Sequence, residues 1–372
     1  MRLLAVLALV GACSFEHGTL GSAADGGVDT TDTGPDRWVY RKPVTILGSH
    51  VRNGAHIRFV ALIAWDVDDA LAKHARADGH DIRFVTTDGV KMPYERVAYN
   101  GATGGLQAWV QVPSIQQSQD TPFFIEYGNP NASDQQDAAA TWPPNVVGAW
   151  HLESGDDSTG NNNDAQAVNG AMIGVKAKVG LGASLDGIDD RLLMPNSASL
   201  DAVATQGTIS LWLKLTDATA VTRQFIMASS NDITPPKSSF EWAVSTSGDT
   251  YFYPRRGDGD VAFNSITNPF TDGRWHHAAV RLQFSSKAVE FFIDGMQTTL
   301  TTNNAATMWM MLADPDDWLW GSHPLYAAPL LGAMDEIRVV TALRGSGWLA
   351  TEYLNQNDPP GFIRVDPEEL VP

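Results

Sequence analysis

The chain has 372 residues, a length that suits two domains with appendages and supplies a buried core without covalent staples. Asp and Glu number 43 against 25 Lys and Arg, a formal net charge of −18. No stretch clusters basic residues as a phosphate-binding surface requires, which excludes nucleic acid as a partner. The single cysteine, Cys13, excludes an internal disulfide and any thiolate metal cluster.

Met1-Arg2 places a positive charge before the apolar run Leu3 to Val10. That run is too short to cross about 30 Å of hydrocarbon, and residues 1–12 read as a signal peptide. It ends in Val10-Gly11-Ala12-Cys13, which resembles a bacterial lipobox with valine where leucine is usual. The resemblance implies cleavage before Cys13 and acylation of its thiol. The protein is then lipid-anchored to the membrane of a bacterial cell envelope, at the outer membrane or cell surface. Ser22-Ala23-Ala24 offers the alternative, cleavage by an ordinary signal peptidase and secretion. Residues 13–36 are mostly Gly, Ser, Ala, Thr and Asp, with Phe15, Leu20 and Val28 as large apolar side chains, the composition of a flexible linker.

From Arg37 to Ala140 the chain alternates β-rich runs with turn dipeptides. The runs are 38–46, 57–63, 81–85, 106–112 and 122–127, separated by Asn53-Gly54, Asp78-Gly79, Asp88-Gly89 and Gly104-Gly105. The pattern predicts a β-sandwich, with one short helix within 64–77. Residues 141–357 repeat the pattern on a larger scale. Strands are expected at 147–152, 207–215, 223–228, 240–244, 275–282, 288–293 and 334–340. Ile209, Leu211, Leu213 and Leu215 alternate on one buried face, and Asp294-Gly295 suits a tight hairpin turn. Residues 358–372 are read as a C-terminal tail. The fold class is all-β, two β-sandwich domains.

The first block resembles the DUF2341 family through Trp38-Val39-Tyr40-Arg41-Lys42-Pro43-Val44, Gly79-His80-Asp81-Ile82-Arg83-Phe84, Ala108 to Pro113 and Phe124 to Pro130. That resemblance implies an extracellular β-module and carries no activity. The second block resembles a laminin-G-like, concanavalin A-like jelly roll. Its motifs are Ala149-Trp150-His151-Leu152, Asp157 to Asp164, Leu185-Asp186-Gly187-Ile188-Asp189-Asp190, Asp272 to His277, Phe292-Ile293-Asp294-Gly295, Gly332 to Val339 and the segment Trp348 to Asn357.

Three chemistries are open to these residues. The oxygen-rich loop Asp156 to Asp164 offers the carboxylate, amide and carbonyl ligands that calcium takes. The family resemblance implies that it meets Asp335 around one structural calcium ion, through Asp157, Asn161, Asn163 and Asp335. The alternative is an Asx-turn, with Asp335 paired to Arg338 or a backbone amide. Sugar binding is the second chemistry: Tyr251 and Tyr253 share one face of a strand, where their rings are either an exposed platform or packing. Trp309, Trp318 and Trp320 are the other aromatic cluster, with Trp318-Leu319-Trp320 expected in the core. Glycoside hydrolysis is the third and needs two carboxylates on one side of a cleft. Asp335 and Glu336 are adjacent, so strict strand alternation sends them to opposite faces, and His276-His277 likewise cannot share a metal. The sequence reading is therefore a non-catalytic surface protein that binds glycans or extracellular protein partners. A structural spacer of an envelope assembly and a carbohydrate-active enzyme are the alternatives.

Overall fold

The computed structural model describes residues 37–216, 223–231, 238–256, 263–265, 269–303, 316–326 and 328–372. Cys13, Trp309 and the linker lie outside them. Among the described residues no helix is long and apolar enough to cross a membrane.

The first module is two antiparallel sheets packed face to face. Tyr40–Ile46 is the hub of one, flanked by Thr121–Tyr127 and then Arg83–Thr86. The other sheet has three strands in the order Ala55–Trp65, Gly105–Gln116, Tyr94–Asn100. The one expected helix is Asp69–His74, capped by Asp68, whose carboxylate accepts from the amides of Ala70 and Leu71. Along Ala55–Trp65, Phe59, Ala61 and Ile63 face the module's own core, with Val44, Phe84 and Ile125. Val60 and Leu62 point the other way, into a second apolar cluster with Trp109, Trp142, Ala149, Val179 and Val340. An unbroken apolar run of this kind marks a strand covered on both sides, and the second cover is the other module.

Among the described residues the second module is a pair of eight-stranded antiparallel sheets. The proximal sheet runs Met296–Gln297, Ala288–Ile293, His276–Gln283, Gln206–Leu215, Leu331–Val340, Leu181–Asp186, Met172–Lys176, and Val146–Trp150 also pairs with Leu331–Val340. The distal sheet runs Leu300–Asn303, Phe263–Ser265, Thr250–Arg256, Ser238–Val244, Gln224–Asn231, Trp318–Trp320, Arg191–Met194, Gln166–Val168. Ile209, Leu211, Leu213 and Leu215 pack from one sheet against Trp242, Phe252, Trp318 and Trp320 of the other. The alternation read from the sequence and the core placement of Trp318 and Trp320 both hold.

Two features join the modules more closely than beads on a leash. Helix Ser346–Asn357 wedges between them. Asn355 pairs with the backbone of Leu62 in both directions, at 2.7 and 2.9 Å, as another strand would, while Thr351 meets Arg52 and His56. One residue further round the helix, Glu352 accepts from Ser210 and Gln356 from Trp212, both on the proximal sheet. Residues 358–372, expected as a tail, instead return to the first module. Ile363–Val365 and Glu369–Leu370 both pair with Tyr40–Ile46, with Phe362 and Ile363 buried in its core. Residues 35–371 accordingly form one compact unit.

Candidate functional site

The structure does not bring the expected calcium ligands together. Asp157 is buried, and its carboxylate is engaged inside its own loop. One oxygen accepts from the amides of Ala149 and Thr159, the other from the Thr159 hydroxyl and the Asn163 amide. Asn161 donates to the carbonyl of Val147. Asn163 also donates there, and its Oδ1 accepts from Ser197 and Ser199. This is an Asx-type staple of the loop. Asp335 lies elsewhere, fully buried, accepting from the Val179 amide at 2.7 Å, and no hydrogen bond joins it to the loop. These four residues do not fit one hard cation. The carboxylates that do converge are Asp186, Asp189 and Asp190, whose ligand atoms lie within 4.8 Å of one another.

Strict alternation fails at Asp335-Glu336. Ser210 pairs with Arg338 and Trp212 with Asp335, so Leu211 alone faces two residues, and Glu336 takes a φ of +50°. This β-bulge lets Met334 and Ile337 both enter the core while Asp335 and Glu336 both leave it. The consequence is a buried ionic row at the module junction. Glu336 of the proximal sheet contacts His151 Nδ1 at 2.9 Å, and His151 Nε2 meets Glu95 of the first module at 3.2 Å. Glu95 also accepts from Trp142 Nε1 and the Ser158 hydroxyl. His151 stacks on Trp109, and the Arg338 guanidinium lies 4.2 Å over that ring while pairing with Glu336 and Glu352.

Burial opposes charge on His151, but Glu336 and Glu95 outweigh it and hold the imidazolium well above its ordinary range. Burial likewise opposes ionisation of Glu95, and the His151 charge and hydrogen bond overcome it and lower its pKa. Glu153, beside a cleft of about 400 Å³ lined by Glu95, Arg96 and His151, is pushed up to about 7 by burial and then by Glu336. Every acid in this row except Glu153 and Asp335 has its counter-charge, the arrangement of a clamp between modules.

Tyr251 and Tyr253 do share a face, the outer face of the distal sheet. They are not a flat platform: their rings meet edge-on, 5.0 Å apart at 86°, with Tyr251 buried and Tyr253 half-buried. Tyr251 packs with Phe225, Ala243 and Ala328. Burial pushes its hydroxyl up to about 12 in spite of the neighbouring Arg223. Around this pair stand residues from three other segments. Glu241 holds His323 Nε2 at 3.1 Å, both buried. Tyr326, 39% exposed, lies against His323 and Phe225, and the exposed Arg223 reaches over Tyr326.

Two family profiles match the chain. The domain of unknown function DUF2341 covers residues 78–167 and Laminin_G_3, of the concanavalin A-like lectin/glucanases superfamily, covers 186–346. The chain joins a DUF2341 domain to a concanavalin A-like domain. No curated protein matches it in sequence. Among solved structures it is similar to the binding domain of Paraclostridial Mosquitocidal Protein 1, at 12% identity and a TM-score of 0.47, covering 56% of this chain and 52% of that one. It thus spans about half the length of that relative. Domain 4 of AbnA, a GH43 extracellular arabinanase from Geobacillus stearothermophilus solved with arabinotriose, matches at 17% identity and a TM-score of 0.43, covering 55% and 96%. The CBM40 of the Ruminococcus gnavus IT-sialidase, bound to α2,3-sialyllactose, matches at 15% identity and a TM-score of 0.39, covering 46% and 95%.

Strand alternation placed Tyr251 and Tyr253 on one face, as the structure has them, and gave no sign that Arg223, Glu241, His323 and Tyr326 would lie beside them. Glu241 stands directly across the ladder from Tyr253, a cross-strand neighbour that only the register reveals. His323 and Tyr326 come from a connecting segment without periodicity. The Glu95–His151 contact between the two structural modules, both residues of which fall inside the DUF2341 match, had no sequence signal either.

Proposed function

We propose that the protein is a non-catalytic binding protein of the bacterial cell surface, recognising glycans through the outer face of its distal sheet. The observation that carries this reading is an asymmetry between the two outer faces of the concanavalin A-like domain. The proximal face is occupied by helix Ser346–Asn357 and the DUF2341 domain. The distal face carries Tyr253, Tyr326 and Arg223 around the buried Glu241–His323 pair. Tyrosine rings offer apolar surface for the C–H face of a pyranose, and the exposed Arg223 guanidinium offers donors to its hydroxyl oxygens. Acylation of Cys13 would hold this face at the envelope on a flexible linker. A glycan array probed with the full chain tests the reading: specific binding that disappears in Tyr253→Ala/Tyr326→Ala is expected. Sugar release from a polysaccharide panel would instead make the protein an enzyme.

A separate observation supports a calcium ion, at the Asp186–Asp190 turn and not at the Asp157 loop. Asp190 is 3% exposed, one oxygen accepts from the Asp186 amide, and the other is buried with no partner. Burial and the flanking Asp186 and Asp189 charges raise its pKa, a repulsion that a cation relieves. Calcium is expected to raise Tm in the parent and to leave Asp190→Asn unmoved. A parent whose Tm ignores calcium contradicts the assignment.

A further inference from the structure

A second cleft, of about 590 Å³, opens where the DUF2341 domain meets the concanavalin A-like domain and helix Ser346–Asn357. That volume lies in the range of small-molecule sites, roughly 300–1,000 Å³. From the first domain come Trp65, Asp66, Tyr99 and Asn100, and from the other side Lys178 and Gln356. Trp65 and Tyr99 are half-buried, and their polar atoms are already engaged: the indole N–H donates to the Gly104 carbonyl and the phenol to the Leu71 carbonyl, each at 3.1 Å. What remains of both for a ligand is apolar ring.

Gln356 supplies the opposite character. Its Oε1 accepts from Trp212 Nε1 at 2.6 Å, which fixes the orientation of the amide. The Nε2 is then a buried donor without a partner, on a residue 2% exposed. A buried unpaired donor is costly, so the fold holds a donor that a ligand oxygen would satisfy. Charge in the cleft is balanced: Lys178 is held by the carbonyl and side chain of Asn357, and Asp66 is exposed. A hydrocarbon would leave the Gln356 donor unpaired, and an anion would meet Asp66.

We propose that this junction cleft is a second binding site, for a short neutral saccharide. Its ring C–H groups would lie on Trp65 or Tyr99, and its hydroxyl oxygens would accept from Gln356 and meet Asn100 and Asp66. The site needs both domains, and it stands independently of the distal face.

Calorimetric titration of the full chain with maltotriose, cellotriose, xylotriose and laminaritriose tests it. At least one trisaccharide is expected to bind, about tenfold more weakly or worse in Trp65→Ala and in Asp66→Ala. Tyr253→Ala/Tyr326→Ala is expected to leave that binding unchanged. Thermal melts accompany each variant, and if Trp65→Ala unfolds, the exposed Asp66→Ala decides. Absence of binding to all four sugars overturns the cleft, as does binding that survives the cleft variants. Binding lost only in Tyr253→Ala/Tyr326→Ala overturns the cleft while upholding the distal face.

Discussion

Glu336 adopts a left-handed backbone angle that few glutamates tolerate, and the ionic row follows from it. With the bulge, Glu336 and Asp335 face the first module together, and His151 is charged between Glu336 and Glu95. Glu153 is desolvated by burial and then repelled by Glu336. Its pKa rises from an ordinary 4.5 to about 7, so between those values the folded state holds a proton that the unfolded chain has released. The resulting stabilisation is full below about pH 4.5 and is lost as pH rises through about 7. Glu153→Gln removes that dependence. Its Tm is expected to exceed the parent's by about 2–4 °C at pH 8 and to match it at pH 4.5, as read by calorimetry. Equal melting at both pH values would refute the assignment. No residue-level reading of the sequence reaches this point, because alternation is the rule that the bulge breaks. The Asp157 loop is the reverse case. Its composition suits a metal, yet short-range donors from Ala149, Thr159 and Asn163 satisfy the carboxylate first.

At the scale of elements, the strands with long apolar alternation were legible, whereas Tyr94–Asn100 and several short strands were not. Gln206–Leu215 announces itself through four apolar residues at spacing two. Gln166–Val168 and Glu369–Leu370 are strands of three and two residues carried by their neighbours, too short for any period to show. Arg191–Met194 shows this even at four residues, since its pattern is fixed by Trp318–Trp320 across the ladder. The C-terminal pair matters most. Tyr40–Ile46 would present a bare edge without Ile363–Val365 and Glu369–Leu370, and unpaired edges invite aggregation. A chain ending at Phe362 is expected to lose about 3 kcal/mol or more of stability and much of its solubility, measured by urea unfolding and sedimentation. Unchanged unfolding would show that the terminal strands are incidental.

At the scale of the whole molecule, both β-sandwich domains and their order were legible, because a run of family motifs marks the second and strand spacing marks the first. Their fusion was not. Helix Ser346–Asn357 uses Thr351 and Asn355 for one domain and Glu352 and Gln356 for the other, a division of faces that makes sense only with both partners in place. This packing covers the proximal sheet, and the recognition proposed above is therefore assigned to the outer face of the distal sheet. The most direct test is calorimetric titration of the strongest array glycan into the parent and into Tyr253→Ala/Tyr326→Ala. The account predicts at least about tenfold weaker binding by the folded variant. Equal affinity in the two proteins would contradict it.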